Sequence, residues 1–143
     1  MKVKQISVFL ENKTGRLAAV TDVLAINGIN IRALSIADTS DFGILRLIVD
    51  QPGKAYDALK AQDFTVSVTD VIGVEMPDQP GGLAKVLKEL ELAEINIEYL
   101  YAFLGRGHDG ALVVFKVEDI DSAINKLAGS GLKVLKGEEI YKM

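Results

Sequence analysis

The 143-residue chain has no cysteine and no tryptophan, a single histidine and only three prolines. Without thiols it makes no disulfide, no thiolate zinc or iron–sulfur site and no cysteine nucleophile. His108, standing alone, has no second histidine to complete a transition-metal set and no evident nucleophile to activate. It is read as a solvated turn residue, and no metal or cofactor is expected. Apolar runs of the roughly eighteen residues that span a bilayer are also missing. The opening Met1-Lys2-Val3-Lys4-Gln5 leads into no long apolar stretch and no small-residue cleavage site. The expected compartment is the cytoplasm.

An excess of positive charge is missing too. Residues 1–70 hold eight basic and eight acidic side chains, and residues 71–143 hold eight and twelve, so the whole net charge of −4 lies in the second half. No basic stripe is available to neutralise phosphates, the main source of non-specific nucleic-acid affinity. Nucleic acid and anionic membrane are therefore not expected partners. Recognition of RNA would need aromatics beside a basic surface. The aromatics exist; the basic surface does not.

Apolar residues are plentiful, at 49% of the chain, which argues for a packed core and against disorder. The stronger signal is a repeat. Asn12-Lys13-Thr14-Gly15-Arg16-Leu17-Ala18 returns as Asp78-Gln79-Pro80-Gly81-Gly82-Leu83-Ala84, offset by 66. Ile29-Asn30-Ile31 returns at the same offset as Ile95-Asn96-Ile97, and Gly43-Ile44-Leu45 returns at 67 as Gly110-Ala111-Leu112. Ala55, Leu59, Phe64 and Val66 return at 68 as Ala123, Leu127, Leu132 and Val134. Four landmarks in order, drifting by two residues where loops absorb the drift, identify a duplication.

Each copy has the same periods. Val3–Leu10 is β-branched and half alternating, a strand. Gly15–Asn27 places Leu17, Val20, Val23 and Leu24 at helical spacing, closed by Gly28. Ile29–Ala37 and Ile44–Val49 are strands joined by turn chemistry at Thr39-Ser40-Asp41. Pro52-Gly53 opens a short helix with Ala55, Ala58 and Leu59 on one face, and Phe64–Val68 is the last strand. Copy two repeats this with a strand at Val71–Met76 and a helix from Pro80 with Leu83, Val86, Leu87 and Leu90 inward. Strands at Ile95–Leu104 and Ala111–Val117 come next, then a helix carrying Ile120, Ala123, Ile124 and Leu127, and a strand at Leu132–Leu135. Order βαββαβ, twice, predicts an α+β fold of two ferredoxin-like units, antiparallel sheets with helices on one face. The expected domains are residues 1–69 and 70–143. A core of about seventy residues is marginal alone, and only Asp70 separates the two β-rich stretches, so the copies are expected to pack on each other.

Both sheet faces read as apolar. In Ile95–Phe103 the odd positions are Ile95, Ile97, Tyr99, Tyr101 and Phe103, while the even ones include Leu100, Ala102 and Leu104. Helices cover one face only, so sheet-to-sheet packing in a homodimer is the expected cover for the other. The alternative is aromatics capping a partly exposed sheet, their hydroxyls in water.

The turn before the first helix of each copy is the candidate site. Main-chain N–H groups at a helix start lack partners, and with the helix dipole they receive a carboxylate or phosphate oxygen. Glycine at 15 or 81 lets that oxygen approach without a Cβ in the way. Asn12 adds an amide that donates and accepts, and Asn30 begins the next strand, where it is expected to flank the same pocket. An α-amino acid needs this mixture: donors for its carboxylate, acceptors for its ammonium. The competing reading makes Asn12 and Asp78 ordinary helix caps, with Asn30 and Asn96 in ordinary turns.

The pattern Glu11-Asn12-Lys13-Thr14-Gly15-Arg16-Leu17, a helix, then Asn27-Gly28-Ile29-Asn30-Ile31 resembles the ACT domain, a βαββαβ regulatory module that binds amino acids and controls metabolic enzymes. Asp78-Gln79-Pro80-Gly81-Gly82-Leu83 through Ile95-Asn96-Ile97 resembles it as well, so nearly the whole chain is similar to small stand-alone tandem ACT proteins. The resemblance implies a free amino acid held at an interface between modules. Its contacts would be Asn12, Lys13, Thr14, Gly15, Arg16, Leu17, Asn30 and Ile31 in copy one, and Asp78, Gly81, Gly82, Leu83, Asn96 and Ile97 in copy two. Two departures stand out. Thr14 occupies the usual proline position, and Asp78 puts a carboxylate where an amide is usual, which repels a ligand carboxylate. Copy one is therefore the better carboxylate site.

Two other motifs carry less. Gly105-Arg106-Gly107-His108-Asp109-Gly110 matches G-x-G-x-x-G, but a strand comes after it where a dinucleotide loop needs a helix, so it is read as a hairpin tip. Glu118-Asp119-Ile120-Asp121 is read as the acidic first turn of a helix and lacks calcium-loop spacing. The expected function is a non-catalytic amino-acid sensor, a homodimer acting on a metabolic enzyme or transporter. The rivals are a ligand-free assembly module and, without any convergent acid, base or nucleophile set to support it, a small enzyme on the same fold.

Overall fold

In the computed structural model, which describes residues 1–38, 41–104 and 110–143, the alternating apolar positions of Val3–Glu11 form strand β1, with Ile6, Val8 and Leu10 buried on one face. Helix α1 (Arg16–Ile26) comes next and buries Val20 and Leu24. Gly28, at φ 69°, closes it in the left-handed conformation. Strands β2 (Ile31–Asp38) and β3 (Phe42–Val49), helix α2 (Pro52–Ala61) and strand β4 (Thr65–Met76) continue the chain. Then come α3 (Gly82–Leu92), β5 (Ile97–Ala102), β6 (Ala111–Val117), α4 (Ile120–Gly129), β7 (Lys133–Leu135) and α5 (Gly137–Tyr141). Thr39 and Ser40 of the expected turn, and Gly105–Asp109 of the glycine motif with His108, lie outside the described residues. Strand β6 begins directly after Gly110, in the place where a dinucleotide loop requires a helix.

The chain divides into two units, Lys4–Thr69 (the N-terminal unit) and Asp70–Met143 with Met1–Val3 (the C-terminal unit). In the N-terminal unit the strands run β2-β3-β1-β4, with β2–β3 and β3–β1 antiparallel, and in the C-terminal unit β5-β6-β4-β7, antiparallel throughout. Both are the expected antiparallel α+β arrangement. The first core joins Ile6, Val8, Leu10, Val20, Leu24, Leu45, Leu47, Ala55 and Leu59. The second joins the matching set around Ile72, Val74, Val86, Leu90, Phe115, Ala123 and Leu127. Ala55, Leu59 and their repeats Ala123 and Leu127 fill the cores. Leu45, however, matched in sequence to Leu112, has Val113 as its structural counterpart, since Val8 pairs with Leu45 and Val74 with Val113.

Four local differences from the sequence reading have physical causes. The stretches Phe64–Val68 and Val71–Met76 are one continuous twelve-residue strand, β4, because neither proline nor a turn residue pair interrupts it and Asp70 is tolerated within it. In both copies the second strand carries a bulge, between Ile31 and Ala33 and between Ile97 and Tyr99. An inserted residue flips the alternation. Ile31 and Ile97 thus pack with the helix-side cores, whereas Tyr99 and Tyr101 turn to the other face and stack at 6.4 Å. The odd-numbered residues of Ile95–Phe103 are therefore not one stripe.

The third difference is α5, which the periodicity did not announce. Glu139 accepts a hydrogen bond from the Lys136 N–H at 3.1 Å across the first turn, half of a capping box. Ile140 from this helix is fully buried, and its Cδ1 lies 2.6 Å from where a Cβ on Gly73 would sit. Ile72 and Val74 point into the helix-side core, so Gly73 faces the other way. Part of the second face of this sheet is thus covered from within the unit. Finally, Leu83, expected inward, is exposed, as is its counterpart Leu17.

Candidate functional site

The loops that open α1 and α3 match hydrogen bond for hydrogen bond. Lys13 N–H donates to the Glu11 carbonyl at 2.8 Å and Arg16 N–H to Lys13 at 3.2 Å; Gln79 donates to Pro77 and Gly82 to Gln79, both at 3.0 Å. Each loop then reaches a glycine in the left-handed region, Gly15 at φ 88° and Gly81 at φ 90°. These glycines occupy the N-cap positions and have no side chain with which to cap either helix. The N-cap position is thus a glycine in both copies, where the competing reading put Asn12 and Asp78. The Ala19 N–H returns to the Gly15 carbonyl at 2.9 Å, leaving the first-turn amides of Leu17 and Ala18 without an acceptor among the described residues.

The expected residues fall into two groups. Asn12, Lys13, Thr14, Gly15, Arg16 and Leu17 all lie at the N-terminal mouth of α1 and are exposed, as are Asp78, Gly81 and Leu83 at α3, with Gly82 buried. Asn30 and Ile31 lie beyond the other end of α1, roughly 16 Å away at 1.5 Å per helical residue. Asn96 and Ile97 stand likewise beyond α3. Within one unit the loop and the asparagine thus stand at opposite ends of the helix. Asn30 is pinned by its main chain: its N–H donates to Asp50 Oδ1 at 2.9 Å and its carbonyl accepts from Asp50 N–H at 3.1 Å. Asn96 accepts from Glu118 N–H at 3.1 Å in the same way. In each case the side-chain amide stays exposed.

Beside the mouth of α1 the N-terminal unit has an open cleft of about 440 Å³. Phe9, Leu10, Glu11, Arg16, Phe42, Gln62, Asp63, Phe64 and Thr65 line it. Arg16 lies over the Phe64 ring, 5.5 Å from its centroid. Glu11 holds Lys13 Nζ at 2.8 Å, and this hydrogen bond and charge, with Arg16 adding to them, hold its carboxyl below the usual range. Of the residues expected from sequence only Arg16 reaches the cleft. The other lining residues come from three separate segments, which a motif scan along the chain does not join. A comparison of the copies carries the missing signal, since Phe9, Glu11, Phe42 and Phe64 are places where they differ. Among the described residues, no cluster of three or more His, Cys, Asp or Glu could hold a metal ion.

The ACT domain pair is the family whose model matches, over residues 1–143. The chain belongs to the ACT domain pair family. A solved structure of protein BT0572 from Bacteroides thetaiotaomicron is 46% identical, with a TM-score of 0.93, and the match covers 100% of this chain and 98% of that one. The regulatory subunit of aspartate kinase from Thermus thermophilus, in its ligand-free form, is 17% identical at a TM-score of 0.63, covering 89% and 91%. That of Thermus flavus is 16% identical at 0.59, covering 90% and 92%. These last two share the fold. No curated protein matches the chain. The two ACT repeats, their antiparallel sheets and the helices α1–α4 on one side agree with the architecture expected from the sequence, with α5 added on the other face.

Proposed function

We propose that this ACT pair is a non-catalytic sensor of a free amino acid, formed of modules 1–69 and 70–143, acting in the cytoplasm as a homodimer on a metabolic enzyme or transporter. The observation that carries this reading is the glycine-started mouth of α1, where first-turn amides and the helix dipole favour a carboxylate. The cleft beside it gives the rest of a small molecule somewhere to go. Asn30 or Asn96, brought from another unit, would complete the acceptors for an ammonium group. The ACT fold is shared with regulatory subunits of aspartate kinase, and the regulatory role is carried to this chain as part of the proposal. Ligand binding would order an interface between modules and so shift an assembly equilibrium. Among the described residues, no helix is long and apolar enough to cross a membrane.

A thermal-shift panel of the twenty amino acids on the full chain tests the reading. A ligand at a hundred times its dissociation constant adds about 2.7 kcal/mol to stability, a shift of several degrees. One or a few amino acids should raise Tm. No shift with any of the twenty favours the second reading, a ligand-free assembly module. That reading draws on the exposure of Ile26 and Leu92, equivalent residues at the ends of α1 and α3 that are 85% and 62% exposed.

A further inference from the structure

We infer that the cleft of the N-terminal unit selects an α-amino acid with a bulky apolar side chain, aromatic ones above all, and that the C-terminal unit has lost this pocket. The inference rests on the amino-acid-sensing proposal and narrows its ligand.

The walls argue first. Phe9, Phe42, Phe64 and Leu10 form the apolar part of the lining, beside Glu11, Arg16, Gln62, Asp63 and Thr65. Phe9 and Phe42 are 53% and 54% exposed, so two large rings stand in water beside a third. An apolar ligand side chain would recover that exposed area, and aromatic rings pair edge-to-face or offset with further gain. The cleft's volume falls within the range of roughly 300–1,000 Å³ typical of small-molecule sites.

The charges argue next. The cleft contains one guanidinium, Arg16, and two carboxylates, Glu11 and Asp63. Arg16 Cζ lies 5.5 Å from the Phe64 centroid, which places the guanidinium in the cleft, where it can meet a carboxylate. Asp63, and the Glu11 oxygen that Lys13 does not hold, can take an ammonium. A simple organic anion would meet two like charges, and a simple amine would meet the arginine. A zwitterion satisfies both signs.

The duplicate supplies a control. At the repeat offsets, Phe9 becomes Glu75, Glu11 becomes Pro77, Arg16 becomes Gly82 and Phe64 becomes Leu132. Where Phe9 and Thr65 line the cleft, the second copy sets Glu75 and Lys133 as an ion pair at 3.4 Å. Where Arg16 stands, a Cβ on Gly82 would collide with the Pro77 carbonyl, so no side chain can replace it there. Asp63 keeps the left-handed backbone at φ 64° that Gly131 adopts at φ 78° in copy two. The first copy thus places a carboxylate where glycine fits with less strain.

Calorimetric titration of the full chain decides the matter, using L-phenylalanine, L-leucine, glycine and L-aspartate, with phenethylamine and 3-phenylpropionate each lacking one charge. The expected result is one site per chain, phenylalanine bound most tightly, and at least tenfold weaker binding when either charge is missing. Arg16→Gln and Phe42→Ser, both at exposed positions and so compatible with folding, should each weaken phenylalanine at least tenfold with Tm unchanged in its absence. Aspartate or glycine binding as tightly as phenylalanine, with the same affinity in Phe42→Ser, overturns this inference and leaves the sensor proposal standing. Two equal sites per chain overturn it as well. Silence from every amino acid defeats both. A fourth outcome is dissociation of an oligomer by Phe42→Ser, seen by sedimentation, with no change in ligand affinity. That result gives the rings to a second copy of the chain and overturns the pocket.

Discussion

Gly15 and Gly53 differ in what their backbones allow. Gly15 holds φ 88° with open space around it, so an added methyl meets no atom but forces an L-residue into the left-handed region. Gly15→Ala is therefore expected to cost about 1–2 kcal/mol. Gly53 also has open space but lies in α2 at ordinary dihedrals, and Gly53→Ala should stabilise by about 0.5–1 kcal/mol. Urea midpoints of opposite sign check the pair; equal shifts would mean that crowding, not dihedral strain, governs Gly15. Asp119 is the residue at which pH enters. It caps α4, accepting from the Ser122 N–H at 3.1 Å and the Ser122 hydroxyl at 2.8 Å, and these bonds, the main-chain one foremost, hold its carboxyl below the ordinary 3.8. A depressed folded pKa means the cap's contribution is complete above the unfolded value and is lost as pH falls through the folded one. The Tm gap between the native chain and Asp119→Ala should accordingly stay constant from about pH 7 to 5 and narrow below about pH 4. A gap unchanged in acid would contradict the cap. Asp119 was legible in the sequence as part of an acidic first turn, because helix starts favour such residues locally.

At the scale of elements, α5 and Gly73 make one coupled unit. Ile140 is fully buried against the glycine, so Ile140→Ala should cost about 2–4 kcal/mol. Gly73→Ala alone crowds Ile140 Cδ1, but in the Ile140→Ala background the new methyl enters vacated space. A double-mutant cycle by chemical denaturation should give a favourable coupling of at least about 0.5 kcal/mol. Additive effects would show that the two do not touch. This packing was not legible beforehand: five residues carry too little periodicity, and the reason for a glycine inside β4 only appears once the helix is placed over it. The bulges at Arg32 and Glu98 escaped for a related reason. One extra residue inverts every later side chain, and the sequence carries no mark of where it sits. The longer elements were legible because Val20, Leu24, Ala55 and Leu59, and their counterparts Val86, Leu90, Ala123 and Leu127, repeat at core positions twice over.

For the whole molecule, duplication explains both what could be read and what could not. Equal spacing of loop, helix and asparagine-bearing strand made the ACT pair legible in the sequence. The cleft stayed hidden because its lining comes from Phe9–Arg16, Phe42 and Gln62–Thr65, segments that only folding gathers. The two copies retain one backbone scheme at Gly15 and Gly81 and diverge in the side chains around it, the pattern expected when one copy keeps a ligand pocket and the other keeps the frame. The most direct measurement is an amide-resolved NMR titration of the labelled full chain with L-phenylalanine. The predicted result is saturable shifts at the Gly15, Arg16 and Leu17 amides, with Gly81, Gly82 and Leu83 unmoved. Phenylalanine binding that leaves the α1 mouth unshifted, or no shift anywhere at millimolar ligand, would contradict it.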